Sequence, residues 1–186
     1  MKQAMQLRLS YNLILPHPFA QESSSQFELW AEYRLEVVDA NGRIIKTVLE
    51  IEWDLLMFLS WFVENKNALL EQGIPLENKY SSIGEAVYHF YDAMDDDFDN
   101  DELLDGVYEY RVAHGIRFAL RGTDIPDIYI GIFNKNGTIS FCDNNEKWNY
   151  NINLADFLEK TVQAYDLLIA IKMMNMTRIK DQNQRE

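Results

Sequence analysis

Cysteine is nearly absent. The one thiol, Cys142, leaves no partner for an intramolecular disulfide and no cysteine zinc cluster, so a reducing compartment fits. Histidine is almost as scarce, with His17, His89 and His114. They form no His-x-x-x-His pair and no glutamate-bearing zinc helix, so no metal site and no cofactor is expected. The four prolines and eight glycines are too scattered to make a linker, and no repeat is visible. Residues 1–186 therefore read as a single domain, with a polar tail over 176–186 expected to fray. Long apolar runs are missing too. "LLIAIKMMNM" is too short to cross a bilayer and contains Lys172. The N-terminal "MKQAMQLRLSYNLIL" has no signal-peptide core. No G-x-S-x-G elbow, P-loop or G-x-G-x-x-G occurs. A soluble, cytoplasmic protein is the expectation.

Positive charge is the largest deficit. Seventeen basic residues face thirty acidic ones, for a net charge of −13. A nucleic-acid binder would carry a basic stripe, and an anionic membrane would repel this chain. A cationic protein partner would be attracted to it at moderate salt.

Apolar and aromatic residues are plentiful, at 47% and 13%, enough for a substantial core. "QLRLSYNLIL" alternates as a first strand. "FELWAEYRLEVVD" and "RIIKTVLEIEW", joined at Asn41-Gly42, read as a hairpin, because Asn-Gly supplies the positive φ angles of tight turns. Asp54 can cap the helix "LLMFLSWFVENKNALLEQ". Ser82 and Glu85 stand at capping-box spacing at the start of "SSIGEAVYHFYDAM". "VYEYRVAH", "IRFALR" and "DIYIGIFN" read as strands, with a second hairpin at Asn136-Gly137. Asn153 can cap a last amphipathic helix carrying Leu154, Phe157, Leu158, Val162, Tyr165, Leu168, Ile169 and Met173 on one face. The expected class is α+β: an antiparallel sheet built from hairpins, with about three helices packed on it.

Two groups of residues carry chemistry. The first is "AMDDDFDNDELLDG", with Asp95, Asp96, Asp97, Asp99, Asp101, Glu102 and Asp105 and no basic residue. An EF-hand needs Gly at its sixth position and Glu at its twelfth. Starting at Asp95 puts Asn100 and Gly106 there, and starting at Asp97 puts Glu102 and Tyr108, so neither frame builds a calcium loop. The stretch reads as a solvated loop or as an acidic face for a protein partner, with Phe98, Leu103 and Leu104 as apolar anchors. The second group is His114, Arg117, Arg121, Asp124 and Asp127. Strand alternation would put Arg117 and Arg121 on one face, making either an anion-binding or acid–base cluster or salt bridges at a sheet edge. Cys142 with His114 is a formal nucleophile–base pair, but a lone cysteine on a strand reads as an apolar filler.

"IEWDLLMFLSWFVENKNALL", then "HGIRFALRGTDIPDIYIGIF", then the late amphipathic helix resemble bacterial immunity proteins to polymorphic toxins, over Ile51 to Met174. The resemblance implies an inhibitor that occludes the active surface of a cognate toxin domain. Many such toxins are basic nucleases, which an acidic inhibitor would suit. It assigns no residues. The reading carried forward is an acidic binding protein of this kind, and the alternative is an enzyme or small-ligand binder using the His114 cluster.

Overall fold

Alternation of apolar and polar residues builds the first sheet. The computed structural model describes residues 4–15, 28–77, 79–94 and 99–183, with side chains described as far as 173. Strands β1 (Gln6–Leu13), β2 (Trp30–Val38) and β3 (Ile44–Asp54) pair antiparallel in sequence order. Along β2, Ala31, Tyr33, Leu35 and Val37 point inward while Glu32 and Arg34 face solvent, the period-2 pattern of a half-buried strand. Glu36 breaks it. It is buried beside register shifts in β2, and Arg8 Nη2 and Nε compensate its charge at 2.8 and 3.1 Å. The hairpin turn falls where the sequence places it, with Gly42 at φ +79° and Asp39 accepting from the Asn41 and Arg43 amides. The "QESSSQ" run and His17 lie outside the described residues.

Asp54 ends β3 and opens helix α1 (Leu55–Glu64). Its Oδ1 accepts from Leu56 N at 3.0 Å and Leu29 N at 2.9 Å. The single helix expected next is two pieces, because Asn65 interrupts it before α2 (Lys66–Glu71). Helix α3 (Ile83–Asp92) begins as expected on Ser82, whose Oγ accepts from Glu85 N at 3.1 Å. The Glu85 carboxylate reaches one residue past the usual box and binds the Ser81 amide at 2.8 Å and the Ser81 hydroxyl. Those two bonds, with Lys147 3.2 Å away, hold its pKa down at about 2.

The next segment departs from the expectation. Asp101–His114 is not acidic loop followed by strand but one helix, α4. Asn100 caps it through Leu103 N at 3.0 Å, and Asp101 and Glu102 occupy the first turn, where the helix dipole favours negative charge. "IRFALR" is not a strand either: Ile116–Ala119 is a 3-10 helix, and Arg121 follows in a turn.

The second sheet holds β4 (Tyr129–Phe133), β5 (Asn136–Cys142) and β6 (Lys147–Asn151), again in sequence order. The β4–β5 turn is Asn134-Lys135, both at positive φ, and not Asn136-Gly137. Gly137 serves another purpose. A Cβ there would stand 2.6 Å from the Leu154 Cβ and 2.9 Å from the Ile152 carbonyl, so its bare backbone lets the β6–α5 junction close on β5. Strand β6 comes from a segment that reads as polar, yet Trp148 is half-buried against Phe141 and Tyr150. Helix α5 (Leu154–Asn183) starts on Asn153 and continues through most of the tail expected to fray. Met173, expected on its inner face, is exposed.

The two sheets meet at Met5, which bridges parallel to Ile152. One core cluster joins Leu35 and Val37 of the first sheet to Ile130 and Ile139 of the second, through α1 and α5. Its aromatic spine runs Tyr33–Phe58–Phe62–Phe157 at centroid spacings of 4.9, 5.1 and 5.2 Å. A smaller cluster packs Ile83 and Val87 of α3, Tyr110 of α4, and Tyr129 and Phe133 of β4. The whole is α+β.

Candidate functional site

Helix α4 separates its residues by burial. Val107, Tyr110 and His114 are buried at 3.6-residue spacing, while Asp101, Glu102, Asp105, Tyr108 and Glu109 are exposed. Asp101, Asp105 and Glu109 stand four residues apart, so like charges are adjacent along one face. Within the described residues none of the four acids makes an ion pair. Asp99 is exposed just before the cap; Asp95, Asp96 and Asp97 lie outside the described residues.

This acidic face runs into apolar surface. Tyr108 is 53% exposed and meets Phe118 edge-on at 6.3 Å. Beside them a cavity of about 400 Å³ is lined by Met57, Trp61, Glu64, Val112 and Phe118 of α1, α4 and the 3-10 helix. Arg121 stands at its edge, 5.8 Å from the Phe118 ring.

The second group of expected residues does not converge. His114 is fully buried, stacked on Tyr110 at 3.7 Å, with Nδ1 2.9 Å from the Tyr110 carbonyl and Nε2 3.2 Å from the Ala68 carbonyl. Burial lowers its pKa to about 4 although both carbonyls favour the charged ring. It faces neither arginine, and its hydrogen bonds tie α4 to α2 without reaching Cys142. Burial pushes the Cys142 thiol up, away from nucleophilic use. Arg121 and Asp124 are exposed. Only Arg117 and Asp127 meet, at 3.0 Å.

Asp127 also receives Arg111, which the sequence pattern leaves out of that group. Arg111 Nη2 lies 3.4 Å from Asp127 Oδ2, Nε donates to the Tyr129 hydroxyl at 3.1 Å, and the guanidinium covers the Tyr91 ring at 4.6 Å. No family model, curated protein or solved structure matches the chain. Geometry therefore has to carry the reading of both places.

Arg111 borders a cavity of about 460 Å³ between α3, α4 and the β4–β5 hairpin, with Tyr88, Tyr91, Asp127, Tyr129 and Cys142 in its walls. Burial opposes the Arg111 charge, but Tyr129, Tyr91 and Asp127 outweigh it and the pKa is raised. Burial raises Tyr129, to about 12, against the pull of the Arg111 charge, so its phenol keeps its proton. The signal for this site is the helical reading of "VYEYRVAH", which sends Arg111 toward the sheet. Among the described residues no group of His, Cys, Asp and Glu is arranged to hold a metal ion, and no helix is long and apolar enough to cross a membrane.

Proposed function

We propose that this is an acidic protein-binding module, an immunity-type inhibitor that covers the active surface of a basic toxin domain. One observation carries the reading: the unpaired acidic face of α4 leads to exposed Tyr108 and a cavity with Met57, Trp61 and Phe118 in its walls. The acids would steer a cationic surface and set its association rate. A tyrosine beside a groove walled by Trp61 and Phe118 is the kind of anchor that holds a complex once formed. Like charges adjacent on a helix weaken it slightly, which fits a surface kept for binding.

The test uses a purified basic toxin domain that binds the native chain. Neutralising Asp101, Glu102, Asp105 and Glu109 together should slow association about tenfold at low salt and flatten its salt dependence. Tyr108→Ala should instead speed dissociation. Unchanged association by the neutralised variant refutes the acidic-face reading.

A further inference from the structure

The cavity under Arg111 lies apart from the groove beside Tyr108, and its chemistry is different. Among the described residues Asp127 is the single carboxylate paired with both Arg111 and Arg117, and it holds Arg117 more closely, at 3.0 Å, than Arg111, at 3.4 Å. The Arg111 side chain is only 18% exposed, so most of its desolvation has already happened. A half-buried guanidinium with a loosely held counterion gains from a second anion that can lie in its plane. Tyr129 adds to this. It accepts from Arg111 Nε, and the proton it retains remains available to donate to the same anion.

The walls narrow the anion further. Asp92 and Asp127 both line the cavity and repel a doubly charged group such as phosphate more than a singly charged one. Tyr88 and the Tyr91 face not covered by Arg111 offer ring surface, and the volume of about 460 Å³ suits a small molecule. We infer that the cavity between α3, α4 and β4 binds a small aromatic monocarboxylate, its carboxylate on Arg111 and the Tyr129 hydroxyl and its ring against the tyrosine walls.

The test is an NMR titration of the intact chain with benzoate, following the Arg111 Nε–H resonance. Benzamide serves as the uncharged isostere, with acetate, inorganic phosphate and benzylamine as further arms. Benzoate should give a saturable shift in the millimolar range. Benzamide, acetate and phosphate should each bind at least about tenfold more weakly. Arg111→Lys, which keeps the charge and loses the planar fork, should weaken benzoate about tenfold. If that variant does not fold, the ligand series on the native chain decides alone. Non-saturating shifts, equal binding of benzoate and benzamide, or tighter binding of benzylamine overturn the site. Acetate or phosphate matching benzoate overturns the assigned ligand class.

Discussion

His114 makes a measurable claim about acid stability. Its ring has no solvent exposure, and no charged side chain enters its protonation balance. Two carbonyls face its two nitrogens, at 2.9 and 3.2 Å, but a neutral imidazole has one N–H and can satisfy only one. Protonation would satisfy both at the cost of a buried charge, and burial wins, taking the pKa from 6.5 to about 4. The folded value is below the unfolded one, so the unfolded chain binds more protons between them. Stability from this group is complete above the unfolded value and is lost as pH falls through that window. The full span corresponds to about 3 kcal/mol at most. Between about pH 7.5 and about pH 5.5 the linkage relation gives a loss of about 1.3 kcal/mol. Other groups titrate as well, so the assay is a difference. Urea unfolding of the native chain and of His114→Gln is measured at both pH values, and the native chain should lose about 1.3 kcal/mol more. The packing cost of glutamine cancels because it is present at both pH values. NMR should show the His114 ring still neutral where an ordinary histidine is half protonated. An equal pH dependence in the two proteins, or a measured pKa at or above 6.5, would show that the carbonyls outweigh burial and refute the reasoning.

Two further outcomes follow from single features. Asp105→Asn with Glu109→Gln removes both like-charge contacts along α4 and should stabilise the fold by about 0.5 kcal/mol in urea unfolding, while a net loss would mean these acids have favourable partners. Gly137→Ala forces a Cβ to within 2.6 Å of the Leu154 Cβ and should cost about 1–3 kcal/mol, so an unchanged unfolding midpoint would disprove the close approach.

The legible parts of the fold were those that local chemistry decides alone. Asp54, Ser82 and Asn153 cap helices because their side chains reach amides two or three residues ahead. Asn41-Gly42 turns the first hairpin because Gly42 takes a positive φ and the Asp39 carboxylate accepts from the Asn41 and Arg43 amides. At Asn136-Gly137 the same dipeptide misleads. Register is fixed by which faces are buried, and pairing Phe133 with Asn136 moves the turn to Asn134-Lys135. The glycine is there for the Leu154 contact, a tertiary fact with no local signature. Strand β6 was hidden for a related reason: its polar residues alternate with Trp148 and Tyr150, which cover only one side of an edge strand.

Misreading α4 had the largest consequence for function. "VYEYRVAH" is rich in residues that favour strands, but that preference reflects packing on a half-buried surface more than backbone chemistry. The competing signal is the spacing of Leu103, Val107, Tyr110 and His114 with Asn100 as cap, which is helical. Read as strands, "VYEYRVAH" and "IRFALR" align Arg117 with Arg121 and leave the aspartates as a loop. As a helix, it turns His114 into the core, brings Arg111 to Asp127 and Tyr129, and arrays Asp105 and Glu109 along a solvent face. Asp101, Glu102, Asp105 and Glu109 thus share helix α4 with Arg111 and His114. Its outward side carries negative charge toward exposed Tyr108, and its inward side sets a guanidinium at the mouth of a cavity. Of the two groups expected from the sequence, α4 carries Asp101, Glu102 and Asp105 from the first and His114 from the second, while Arg117, Arg121, Asp124 and Asp127 follow it.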